Sequence, residues 1–95
     1  MRSVDLALYA DTLAGEAASL AARVERERGR LRQETVERAA RGELPAAVVE
    51  RLEEVGLLGT RGDPAALAML EETLDALEVL QAWVEARLAV SLDAA

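Results

Sequence analysis

The sequence predicts an all-α fold: a long helical hairpin with a short connecting helix, expected to dimerise into a four-helix bundle. Three observations carry this expectation. The apolar residues are 20 Ala, 16 Leu and 9 Val, with two Met, one Trp, one Tyr and neither Ile nor Phe, an inventory of helix formers poor in strand formers. Two long stretches repeat their apolar residues every three or four positions, the period of one helix face. Both prolines and most of the glycines fall between those stretches, at Gly42, Pro45, Gly56, Gly59, Gly62 and Pro64. At 95 residues the chain is expected to be one helical domain spanning 1–95, large enough for a core but only an economical one.

The first helix is expected over about 4–41, with Gly42 just past its end. Its apolar residues Leu6, Ala10, Leu13, Ala17, Leu20 and Val24 form a heptad seam that resumes, after a polar Glu27, at Leu31. Alternating Leu with Ala keeps the seam narrow and favours close antiparallel packing. Between Arg23 and Arg41 the character changes to seven Arg interleaved with four Glu. This half is expected to be mostly solvated and easily opened, with Glu34–Arg38 and Glu37–Arg41 in the favourable i,i+4 order and a possible bend at Gly29.

A short helix is expected over about 45–55, with Pro45 in its first turn. Its face of Val48, Val49, Leu52 and Val55 would plug the end of a bundle, and Gly56-Leu57 reads as its C-terminal cap, with Leu57 folded back on Leu52. Gly59-Thr60-Arg61-Gly62 reads as loop. Asp63-Pro64 then places an N-cap before a first-turn proline, opening a third helix over about 64–90. On that helix Met69, Leu70, Leu77, Leu80, Trp83, Val84 and Leu88 share an apolar half opposite Glu71, Asp75, Glu78 and Glu85. A face that wide exceeds what one partner helix covers, and an uncovered remainder is larger than monomers usually expose. Self-association of two hairpins about a twofold axis is the expected remedy.

Composition removes most catalytic options. The chain has no His, Cys or Lys, hence no imidazole base, thiol or amine nucleophile and no soft-metal ligand, and disulfides are impossible. A GC-rich genome accounts for Arg replacing Lys. The net charge of −7 disfavours nucleic acid and anionic membrane surfaces as partners. No apolar run reaches the length of a membrane span and the first residues lead into an amphipathic pattern rather than a signal-peptide core, so a cytosolic protein is expected, without catalytic, cofactor or metal residues. The residues expected to matter are those of the core and interface: Leu6, Leu13, Leu20, Val24 and Leu31, with Met69, Leu70, Leu77, Leu80, Trp83, Val84 and Leu88.

One acidic constellation competes with this reading. Glu50-x-x-Glu53 and Glu72-x-x-Asp75 have a spacing that resembles the magnesium site of the all-α nucleotide pyrophosphatases related to MazG. That resemblance implies a hydrolase in which four carboxylates on facing helices hold the metal that binds substrate phosphates. A hard cation needs converging carboxylates, however, and Glu50 and Glu53 lie opposite the apolar face of the short helix, while Asp75 lies on the polar side of the third. A solvated face is the simpler reading. In length and as an acidic hairpin without cysteine the chain is also similar to small secreted proteins of type VII secretion systems. The Trp-x-Gly turn of that family is missing, since Trp83 is followed by Val84-Glu85. Arg61-Gly62-Asp63 spells an integrin-binding tripeptide, but Asp63 is already expected to cap a helix. The function expected is a noncatalytic protein–protein interaction or assembly module, homodimeric or paired with another helical protein.

Overall fold

The computed structural model describes residues 1–93, with side chains described for residues 1–91. It contains three helices, α1 (Ser3–Glu43), α2 (Ala46–Glu54) and α3 (Pro64–Asp93), and among the described residues no strand. The hydroxyls of Ser3 and Ser91 meet at one end, and the Asp63 N–H reaches Glu27 at the other, so α1 and α3 run antiparallel. The molecule is a rod of 72 × 19 × 15 Å with a radius of gyration of 21.4 Å, where a compact chain of this length would have about 12 Å.

The seam is legible residue by residue. On α1 the buried or half-buried positions include Ser3, Leu6, Ala10, Leu13, Ala17, Leu20, Val24, Glu27, Leu31 and Glu34, an alternation of three- and four-residue steps. On α3 they include Leu67, Leu70, Leu74, Leu77, Gln81, Val84, Leu88 and Ser91, in the same alternation. The result is coiled-coil packing of two helices, one layer thick. Its core is thin: among the described residues the buried apolar side chains are Leu6, Leu13, Val24 and Val84, with Ala10, Leu77, Leu80 and Leu88 packed partly buried around them.

The helix ends depart from expectation for local reasons. Gly42 lies inside α1, which runs on to Glu43 and stays helical through Gly29. Termination comes from Pro45, whose ring excludes the helical region for the residue before it; Leu44 is accordingly extended, at φ −86 and ψ 154. Pro45 itself sits one position before α2, at the N-cap with φ −58 and ψ 142, not in the first turn. The end of α2 follows the expected cap: Gly56 takes φ 75, Leu57 N–H donates to the Leu52 carbonyl at 2.9 Å and Gly56 N–H to that of Glu53 at 3.1 Å, the paired bonds of a Schellman motif. The Leu57 side chain, though, is exposed. Asp63 caps α3 as expected, accepting from the Ala65 and Ala66 N–H groups at 3.0 and 3.1 Å, and α3 extends to Asp93, past Val90.

Within one chain α2 packs only loosely. It has no fully buried residue: Val49 and Leu52 on its apolar face are half-buried, while Val48 and Val55 are exposed. A nine-residue helix cannot be stable on propensity alone, and its visible tether to α1 is the Arg41–Glu53 ion pair at 3.1 Å.

Candidate functional site

The Arg-rich half of α1 is not a uniformly solvated face. Glu27 and Glu37 are buried and Glu34 is half-buried, because α1 outlasts α3 and its final turns are covered by the extended segment before Pro64. That segment has backbone N–H groups and no helix or sheet to receive them, a cost unless acceptors are supplied. The three glutamates supply them. Glu37 Oε1 accepts from the N–H groups of Gly59 and Thr60 at 2.8 and 3.3 Å, Glu34 Oε2 from Gly62 at 2.7 Å, and Glu27 Oε1 from Asp63 at 2.6 Å. Glu27 also holds Arg30 at 2.8 Å through its other oxygen. Bonding from the Thr60 side chain, then from the Gly59 N–H, lowers the Glu37 carboxyl pKa below its ordinary value, against the opposing effect of burial. Gly62 is required where the loop crosses α1, since a Cβ there would lie 2.8 Å from Leu31 Cγ and 3.1 Å from Leu31 Cα.

By sequence alone Glu27 interrupts the seam and Glu37 pairs with Arg41. The structure gives Glu37 to the loop and Arg41 to Glu53, while the expected Glu34–Arg38 pair forms at 3.5 Å. The missed signal was spacing: Glu27 and Glu34 occupy heptad positions, where they face the polar loop in place of a helix. Beside this ladder lies an open cleft of about 500 Å3 lined by residues including Arg38, Arg41 and Arg61. Two of its arginines are already paired to carboxylates.

The second feature is on α3. Met69, Thr73, Ala76, Leu80, Trp83, Arg87 and Val90 recur at alternating four- and three-residue steps, a complete heptad stripe rotated by about a third of a turn from the seam that meets α1. The intramolecular partner does not cover it. Met69 is 67% and Trp83 43% exposed, Thr73, Ala76 and Val90 are exposed, and Leu80 is half-buried at the border with the inner seam. The stripe contains no carboxylate. Its one charge is Arg87, whose guanidinium lies 4.9 Å from the Trp83 ring centroid, a cation–π contact.

The expected core and interface residues therefore divide. Leu6, Leu13, Val24 and Val84 are buried, and Leu20, Leu31, Leu70, Leu77 and Leu88 are half-buried in the intramolecular seam. Met69 and Trp83 belong to the outer stripe, and Leu80 touches both. Glu50, Glu53, Glu72 and Asp75 are all exposed and are not brought together: Glu53 is taken by Arg41, and among the described residues no group of three or more carboxylates is placed to hold a metal ion. The acidic face of α3 does meet the basic half of α1 once, at Arg28–Glu71, 3.7 Å. No helix among the described residues is long and apolar enough to cross a membrane. Comparison with protein families, curated proteins and solved structures finds no match to this chain.

Proposed function

We propose that the protein is a noncatalytic cytosolic assembly module that works by self-association, two hairpins packing through the outer stripe of α3 to form a four-helix bundle. The observation that carries this reading is the stripe itself, a full-length second heptad seam without a partner in its own chain. Surface area supports it. The chain exposes 6848 Å2, against about 5,300 Å2 for a compact monomer of its mass. The excess, about 1,500 Å2, is nearly twice the roughly 800 Å2 per partner that a standard interface covers, so it leaves room for one.

The test is sedimentation of the wild type and of Leu80→Arg and Trp83→Arg. Either substitution puts an unpaired charge into the proposed interface at a cost of several kcal/mol, so the dimer should dissociate. Trp83→Arg is the cleaner variant, since Trp83 lies outside the intramolecular core and the hairpin should keep its helicity. A wild-type protein that remains monomeric at high micromolar concentration would refute the reading.

A further inference from the structure

Resting on that reading, we infer that the second copy docks with its α3 antiparallel to the first, in the single register that sets Ala76 against the partner's Leu80, Thr73 against the partner's Trp83 and Met69 against the partner's Arg87. In antiparallel coiled coils each layer joins two side chains from the two seams, and close packing needs large residues opposite small ones. This register gives every large residue at the centre a small one: Leu80 meets Ala76 twice by symmetry, and the Trp83 ring fills the space above Thr73. All positions from Met69 to Arg87 are then used. Sliding by one heptad one way sets Leu80 against the partner's Trp83 in two adjacent layers and strands Met69. Sliding the other way leaves Trp83 and Arg87 beyond the overlap.

Charge selects the same arrangement. Arg87 is the only basic residue of α3, and among the described residues no carboxylate pairs with it. Glu72, also without an ion-pair partner there, lies beside the stripe on the flank away from α1. Within one chain the two are fifteen positions apart, about 22 Å along the helix, and cannot meet. In the antiparallel register Arg87 of each protomer arrives beside Glu72 of the other, forming two equivalent pairs across the interface. A parallel pairing would instead bring Glu72 to Glu72 and Arg87 to Arg87.

A charge-reversal cycle tests this. Glu72→Arg and Arg87→Glu should each weaken the dimer about tenfold, since each reverses two intersubunit pairs, and the double variant should regain affinity above either single one. The sign for Glu72→Arg is informative by itself: it brings the net charge closer to zero, so general repulsion alone would make it dimerise more tightly. Spin labels on single cysteines, possible because the chain has none of its own, give the geometry. Labels at Val79 should lie close across the axis, while those at Met69 should be separated by about 27 Å along it. Short distances at both sites, or a double variant no better than the singles, would overturn the antiparallel register while leaving a dimer in place. A wild type that is monomeric by sedimentation would remove the self-association reading beneath it.

Discussion

Replacing Gly62 with Ala adds one methyl group at the point where the loop presses on α1. The Cβ would meet Leu31 Cγ at 2.8 Å and Leu31 Cα at 3.1 Å, so the leucine must leave its rotamer and the loop must lift from the helix. Overpacking of this kind costs about 1–3 kcal/mol. The backbone of Gly62 has no positive φ, so Ala is conformationally allowed and restricts the unfolded chain, returning about 0.4–1 kcal/mol. The net expectation is a loss of about 1–2 kcal/mol. Lifting the loop also lengthens the short bonds from Gly62 to Glu34 and from Asp63 to Glu27, which keeps the loss toward the upper end. At about 4–8 °C per kcal/mol for a domain of this size, Tm should fall by roughly 5–15 °C at fixed protein concentration. Gly15→Ala is the control: Gly15 is exposed inside α1 with no atom within 4 Å of the new Cβ, and the same chemical change there should stabilise by about 1 kcal/mol. Equal shifts for the two variants, or a neutral Gly62→Ala, would mean that the loop does not rest on Leu31 and that the glutamate ladder is not formed.

Glu37 should make stability depend on acidity. A carboxyl whose pKa is lower when folded contributes stability that is present above its unfolded value near 4.5 and lost as pH falls through the folded one; denaturant titrations from pH 7 to 3 should show a shallower acid limb in Glu37→Gln than in wild type, and parallel curves would refute it. Amide exchange should be slow at Gly59, Thr60, Gly62 and Asp63, whose N–H groups reach the three glutamates, and Glu34→Ala should release Gly62 first. α2, with no buried residue, should exchange faster than either long helix; protection equal to that of α3 would reveal a partner covering Val48 and Val55.

The apolar period of α1 made its seam readable up to Val24, and the Asp63-Pro64 and Gly56-Leu57 signals placed the helix ends they govern, because each rests on backbone chemistry local to a few residues. Gly42 misled because glycine permits a left-handed cap but does not require one; Pro45 acts three residues later through a steric exclusion that leaves no choice. The function of Glu27, Glu34 and Glu37 lay beyond local rules. A glutamate in an Arg-rich helix pairs with its i+3 or i+4 neighbour by default, and only the length mismatch between α1 and α3 brings unpaired loop N–H groups within reach. That mismatch is tertiary, set by where the chain turns.

The apolar half of α3 was legible as an excess, yet its division into two seams was not, since Met69, Leu70, Leu77, Leu80, Trp83, Val84 and Leu88 look continuous on a helical wheel. The hairpin resolves them. Once Leu70, Leu77, Val84 and Leu88 face α1, the remaining residues fall on a line of their own, with the small Thr73 and Ala76 just below its midpoint and the large Leu80 and Trp83 just above. A stripe serving only solubility would carry charge, and one serving only the hairpin would face inward. This one carries a single charge, Arg87, and faces away from α1, as the proposed pairing with a second copy requires. The glutamates of α1 show the complementary use of the same repeat. At Glu27 and Glu34 the seam turns polar, and the segment laid on it there offers backbone N–H groups in place of an apolar helix face. The repeat of α1 thus serves an apolar helix along one part and a polar loop along the other, while the outer stripe of α3 is left uncovered by its own chain.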